Sequence, residues 1–443
     1  MKKEITVKKT ISKDTRFSLP ENIKRIDYEG KILVVSPNTG NWLVLENEEQ
    51  YTFLKLLESQ DLCGALDKFD GEYDNAQYTV TQIVAKDFEN RNTKSKNYGG
   101  SMQLYLTNEC NMRCPHCYMF AGKKKEHELT TDEIFDIIKT FKEHDGNTIV
   151  FSGGEIALRK DLYDILQYSH AIGISNEILT NGTLWTEAMV HKIAPLINRV
   201  QISIDGYNEA INSRIRGKGG FDKALRTVGY FYQSQIDTEV SVTPYLDSRL
   251  EQNQQYYIEF ARSLNNKYPR GNFLVKFSFD ILNGRDIHVN EEEKSKYQAI
   301  VTKIYSELYG DFVEKPFIEL HKHGGIEENC DYGNIAISAE GDVCLCPIIP
   351  EMQPIGNIRD CGLDKLLGIA SEARKLSNID NLSPCKDCEI KYICGGGCRV
   401  RHFSGFKGNQ LSQIAVAQRT CSQKHKNKYY DMMLRLDKEL YRL

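Results

Sequence analysis

The hydrophobic pattern of this chain changes period along its length. Between Thr130 and Phe141 it is helical: Ile134, Ile137, Ile138 and Phe141 fall at i, i+3, i+4 and i+7. Thr130, followed three residues later by Glu133, supplies the capping box that starts the helix. Short apolar, β-favouring runs at 103–107, 148–152, 177–181, 199–204, 238–243 and 273–279 predict strands, with helical stretches between them. Six such βα units predict a parallel sheet with right-handed crossovers in an α/β chain. Six is fewer than a full eightfold barrel needs, so the expectation is a partial (β/α)6 TIM barrel over residues 102–282. Loops after the strand C-termini then carry the chemistry.

The flanks read differently. Residues 1–20 are polar and suggest an ill-ordered arm or an edge strand. Ile26–Tyr28, Ile32–Val35 and Trp42–Leu45 read as short strands, with a turn at Pro37-Asn38-Thr39-Gly40. Tyr51, Leu54 and Leu57 recur at helical spacing, and a second helical stretch runs from Tyr78 to Phe88. Three strands followed by helices predict a winged-helix-like unit within residues 1–92. Residues 93–101 close a polar, Gly-terminated linker. Residues 283–329 read as mostly helical. Residues 330–421 show little periodicity, which predicts that metal centres organise them. The last 20 residues read as an amphipathic helix.

Composition narrows the function. Among 443 residues, Lys plus Arg number 57 and Asp plus Glu 61, a net charge of −4. That balance argues against a dedicated nucleic-acid binder. No run approaches the roughly 18 apolar residues of a membrane helix. Met1–Thr10 is basic but lacks an apolar core after it, unlike a signal peptide. A cytoplasmic protein is expected. Its 13 cysteines are then unlike a disulfide framework. Apart from Cys63, they cluster at 110–117 and 330–421, a distribution that suits metal or iron–sulfur ligands. Cys63 and Cys361 read as buried thiols.

The first strand runs into Cys110-Asn-Met-Arg-Cys114-Pro-His-Cys117. Three thiolates on one loop can hold three irons of a [4Fe–4S] cube and leave the fourth without a protein ligand. Zinc is the competing metal, but a structural zinc site needs a fourth protein ligand. His116 is too close to Cys117 to serve.

This spacing resembles the cluster motif of the radical SAM superfamily. The resemblance spans about residues 102–282 and rests also on Ser152-Gly153-Gly154-Glu155, Ser203-Ile204-Asp205-Gly206 and Arg214-Ile-Arg216-Gly217. It implies that the open iron binds the amino and carboxylate groups of S-adenosylmethionine, whose reductive cleavage yields a 5′-deoxyadenosyl radical. It further implies that Ser152, Gly153, Gly154 and Glu155 line the methionine moiety. Ser203 and Asp205 would lie at the ribose, Arg216 at the cofactor carboxylate and His116 against adenine.

The C-terminal cysteines resemble the SPASM extension of peptide-modifying radical SAM enzymes, which binds two auxiliary [4Fe–4S] clusters. That implies three clusters in all. Cys330, Cys346 and Cys398 would hold the first auxiliary cluster, and Cys385, Cys388, Cys394 and Cys421 the second. Many relatives have a further Cys just before the position of Cys330, where this chain has Gly324-Gly325-Ile326. The first auxiliary cluster would then keep an open iron unless Cys344 supplies the fourth thiolate.

Finally, Glu29 to Asn47 resembles the PqqD-type recognition element that binds leader peptides by adding a strand to its sheet. Together these resemblances imply a maturase of a ribosomally made precursor peptide. The leader would bind the N-terminal unit, and a flavodoxin or ferredoxin would supply electrons. No nucleic-acid or membrane partner is expected. The implied product is an oxidative crosslink, with a thioether favoured over a carbon–carbon bond. Two alternatives remain open: oxidation of a protein residue, as in anaerobic sulfatase-maturing enzymes, and a zinc-stabilised winged-helix regulator. Asp280 and Tyr245 are candidates for the group that takes the substrate proton.

Overall fold

The computed structural model describes residues 11–90, 100–310, 330, 332–348 and 351–440. Its central feature is a nine-stranded sheet in the order β12-β11-β10-β4-β5-β6-β7-β8-β9. The six parallel strands are Ser101–Tyr105 (β4), Thr148–Ser152 (β5), Ser175–Thr180 (β6), Arg199–Ser203 (β7), Asp237–Val242 (β8) and Phe273–Phe277 (β9). Each lies within two residues of its predicted position. The helix Thr131–Glu143 carries the predicted capping box and buries Ile134, Ile137, Ile138 and Phe141 against the sheet. The fold is the expected mixed α/β partial barrel.

The sheet continues past β4 into the C-terminal region. Ala336–Ile337 (β10) pairs in parallel with β4, and Asp342–Cys344 (β11) and Gly356–Asn357 (β12) follow antiparallel. The expectation of little periodicity here is also corrected. Leu363–Leu376 is a helix whose buried face is Leu363, Leu366, Ala370 and Ala373. Its small residues and internal glycine weaken the apolar signal. Glu291–Tyr309 is helical as expected, but positions 311–329 lie outside the described residues. So do positions 91–99 of the linker and positions 1–10 of the arm.

The N-terminal unit contains the three predicted strands, Lys24–Tyr28 (β1), Lys31–Val35 (β2) and Trp42–Leu45 (β3), as an antiparallel sheet. Three helices follow: Glu48–Leu57, Leu62–Lys68 and Tyr73–Ala85. The middle one went unpredicted. Residues 11–20 are not a loose arm, because Phe17 is buried in the unit's core and Leu62 and Cys63 donate to the Thr15 and Lys13 carbonyls.

Period-two alternation sends the strand side chains both ways. Ile32, Val34, Leu43 and Leu45 pack on the unit's own helices. Leu33, Val35, Trp42 and Val44 pack on Ile390, Ile393 and the C-terminal helix Gln423–Leu440, through Tyr430, Met433 and Leu436. Strands β2 and β3 of the winged-helix-like unit are therefore buried on both faces. No helix of the described residues is long and apolar enough to cross a membrane.

Candidate active site

The parallel strands end around a cavity of about 290 Å³. Ser152, Thr180, Ser203 and Thr243 line it where β5, β6, β7 and β8 end. Cys110, Cys114 and Cys117 line it from the loop after β4. His116, Gly153, Gly154 and Arg216 complete the predicted residues that face the space.

The cysteine loop is fixed at its base. The Cys110 N–H donates to Gly122 O (2.9 Å) and the Gly122 N–H to Asn108 O (2.8 Å). Buried Glu128 accepts from Thr107 Oγ1 (2.8 Å) and from the N–H groups of Asn108 (2.7 Å) and Lys125 (3.0 Å). The glycines of the Ser-Gly-Gly-Glu segment belong to the same contact. The Gly154 N–H donates to Thr107 O and the Glu155 N–H to Glu109 O, both at 2.8 Å. A Cβ on Gly154 would overlap the Glu109 carbonyl, and one on Gly153 would press on Thr107 O. The backbone approach these glycines permit is thus to the cysteine loop.

Glu155 and Asp205 do not line the cavity; they support residues that do. Glu155 is fully buried and accepts from Thr180 Oγ1 (2.7 Å), the Asn181 N–H (2.8 Å) and the Ala157 N–H (3.1 Å). Burial holds its pKa above the usual carboxylate value despite these bonds. Asp205 is 1% exposed. Its carboxylate accepts from Arg216 Nε (2.6 Å) and the Thr243 N–H (2.9 Å) and lies 3.3 Å from His116 Nε2. Burial lowers the His116 pKa against the opposing pull of Asp205, and so favours the neutral ring. Burial also raises the Cys110 thiol to about 11 and raises Cys114, on which the Arg216 and Arg285 charges act in the opposite direction. Thiolates here need cationic partners or bound metal.

Several supporting residues escaped the sequence reading. Asn181, just past β6, donates to Asn111 Oδ1 (2.9 Å) and lies 4.0 Å from Cys110 Sγ. Its place at a strand C-terminus was the available signal. Glu128 and Arg285 carried none, because their partners, mostly backbone groups, are brought together by folding. Of the two proton-acceptor candidates, Asp280 lines the cavity and pairs with Arg401. Tyr245 does not line it; its N–H donates to Tyr257 Oη (3.1 Å).

Seven of the remaining thiols fall into two groups. Cys330 and Cys398 share a hydrogen bond, which lowers Cys330 to about 6 and raises Cys398, and Cys346 acts on Cys398 through its charge. Cys344 is fully buried on β11, and burial takes its thiol to about 12. Cys361 lies beside Gly356, near the start of the helix Leu363–Leu376. In the second group, Cys385 is influenced by Cys394 and Cys421, and Cys388 by Cys394. Cys394 Sγ lies 3.3 Å from His425 Nε2. Arg399, 1% exposed, donates to the Ser377, Gly395 and Gly397 carbonyls and so fixes the loop from Cys394 to Cys398.

Among the described residues, no three of His, Cys, Asp and Glu converge closely enough to chelate a single metal ion. Thiols set around a cavity suit a [4Fe–4S] cube, whose irons spread the ligands apart. The donor set at Cys110, Cys114 and Cys117 fits that group.

Residues 104–250 match the family model of the radical SAM superfamily. The mycofactocin maturase MftC of Mycolicibacterium smegmatis is 29% identical over 316 residues, 67% of this chain and 77% of that protein. An AdoMet-dependent heme synthase of Oleidesulfovibrio alaskensis is 31% identical over 342 residues, 70% of this chain and 84% of that protein. Among solved structures, native anSMEcpe with bound AdoMet and the Cp18Cys peptide superposes with a TM-score of 0.54 at 16% identity. That match covers 77% of this chain and 97% of the other, and it shows a shared fold.

Proposed function

The chain belongs to the radical SAM superfamily and is an enzyme; from that premise we propose that it matures a ribosomally made peptide by installing an oxidative crosslink, a Cys sulfur-to-carbon thioether in preference to a carbon–carbon bond. A [4Fe–4S] cluster with S-adenosylmethionine supplies a 5′-deoxyadenosyl radical in this superfamily. Cys110, Cys114 and Cys117 are the ligands for that cluster. Arg216, held by Asp205, is placed to meet the cofactor carboxylate, and neutral His116 to pack on its adenine. Ser203 lines the ribose end. Gly153 and Gly154 bring their strand end against the cysteine loop, which seals that side of the cavity.

One observation carries the peptide reading. Two groups of C-terminal thiols lie outside the cavity lining, and the second shares a core with the N-terminal sheet-and-helix unit. Residues 330–443 are then a SPASM region with two auxiliary clusters. Cys330, Cys346 and Cys398 hold the first, and Cys385, Cys388, Cys394 and Cys421 the second. The first has three thiolates in reach, and its open position suits a substrate thiolate. Cys344, whose thiol burial raises and which acts with Asp342 and Cys346, is the alternative fourth ligand. Residues 1–92 form the recognition element for the leader, residues 102–282 the catalytic barrel and residues 283–329 the bridge between barrel and SPASM region. Thioether formation replaces one S–H and one C–H by an S–C bond, a loss of two protons and two electrons. A hydrogen atom accounts for one electron; the second needs an acceptor, the role assigned to the auxiliary groups. A flavodoxin or ferredoxin supplies the reducing electron.

Two relatives bear on the substrate. MftC is named a maturase and anSMEcpe was solved with a peptide. The similarity to an AdoMet-dependent heme synthase favours a second reading, action on a porphyrin.

The test is metal content joined to turnover. Anaerobic reconstitution should give about 12 iron and 12 sulfide per chain, three [4Fe–4S] clusters. A cysteine-containing precursor peptide should lose two hydrogens in mass, and Cys114→Ala should abolish 5′-deoxyadenosine formation. About 4 iron would remove the auxiliary clusters from the scheme. Zinc in place of iron would overturn it, and turnover of an iron porphyrin with none of a peptide would favour the second reading.

A further inference from the structure

The segment after β9 crosses back over the cysteine loop. Asp280, Ile281 and Leu282 line the cavity, and the chain then turns at Asn283. Asn283 Oδ1 accepts from the Val289 N–H (2.9 Å), and the Gly284 N–H donates to Ile287 O (2.9 Å), which closes the turn. The turn lies directly on the loop. The Asp286 N–H donates to Pro115 O (2.8 Å). Arg285 spans two loop carbonyls, donating from Nη1 to Cys114 O (3.4 Å) and from Nη2 to Ala121 O. Any side chain at 284 would overlap the His116 backbone, so only glycine lets the two segments meet.

We infer that Gly284-Arg285-Asp286 is a strap on the cysteine loop, and that Arg285 is a positioning residue for the cluster held there. It ties the middle of the loop to its exit and places a fixed positive charge beside Cys114. Reduction adds negative charge to the cluster, and a nearby cation favours the reduced form. Arg285 therefore supports both the shape of the cofactor site and the ease of its reduction. The inference rests on the reading of Cys110, Cys114 and Cys117 as the cluster's ligands.

The experiment compares the full-length parent with Arg285→Met, Arg285→Lys and Cys114→Ala after anaerobic reconstitution. The readouts are S-adenosylmethionine affinity and the midpoint potential of the cluster whose electron paramagnetic resonance spectrum responds to S-adenosylmethionine. Cys114→Ala must lose that responsive signal; if it persists, the ligand assignment itself fails, whatever the Arg285 variants do. Arg285→Met should shift the potential downwards and weaken S-adenosylmethionine binding by about tenfold, the usual scale for an outer-shell residue. Arg285→Lys keeps the charge but cannot span both carbonyls. It should hold the potential near the parent's while losing part of the affinity. A Met variant with the parent's potential and affinity overturns the inference. Should that variant fail to fold, a Lys variant indistinguishable from the parent in affinity overturns it equally.

Discussion

The Lys86 ammonium, fully buried at the end of the helix Tyr73–Ala85, pairs with the Asp437 carboxylate of the C-terminal helix, 351 residues further along the chain. Burial lowers the Lys86 pKa and Asp437 opposes that. The pair sits behind the apolar contact between the N-terminal sheet and the C-terminal helix, and so fixes how they meet. Lys86→Met leaves a carboxylate buried without its cation and should cost about 3 kcal/mol. Lys86→Met with Asp437→Leu should recover most of it. Denaturant unfolding of the two variants checks this; a double variant no better than the single one would refute it.

Gly154→Ala tests the seal on the cysteine loop. The added methyl would overlap the Glu109 carbonyl, which no rotamer can relieve. The loop must shift, and the S-adenosylmethionine-responsive cluster should fail to assemble. Iron content should fall by about four per chain, one [4Fe–4S] cluster.

Asp205→Asn tests the support of Arg216 and His116. The amide can accept one bond but not carry the charge that holds the Arg216 guanidinium. S-adenosylmethionine affinity should fall by roughly 10–100-fold, while iron content stays at the parent level. Equilibrium dialysis against the labelled cofactor measures it.

Arg359 gives a pH signature. It donates to both oxygens of Glu133 (2.6 and 3.0 Å) and so ties the C-terminal region to the barrel's first helix. Its hydrogen bonds lower the Glu133 pKa from 4.5 to about 2. A carboxylate depressed on folding contributes stability that is complete above its unfolded value and fades as pH falls towards the folded one. Solvent screens this half-exposed pair, so it contributes about 1 kcal/mol or less. The stability gap between the parent and Arg359→Met should be constant from pH 8 to 6 and should narrow below about pH 4.5. A gap independent of pH would place the effect elsewhere.

The sequence by itself determined the barrel. Each parallel strand is a short apolar run and each crossover an amphipathic stretch, and these are local signals that a linear reading detects. The spacing of Cys110, Cys114 and Cys117 carries its own chemistry, whereas His116, the Gly153-Gly154 pair and Arg216 came forward through the superfamily resemblance. The tertiary structure decided which residues stand behind them. Asp205 and Glu155 read as cavity residues but spend their carboxylates on neighbours, since a buried charge must be paired or hydrogen-bonded. Glu128 and Arg285 act mainly through backbone carbonyls and N–H groups, which are alike at every position and leave no mark in a sequence. The alternation in β2 and β3 fixed two apolar faces, yet only the folded chain showed what covers the second. Contacts between residues 33–44 and 390–436 depend on where distant segments are carried, and no local pattern encodes that.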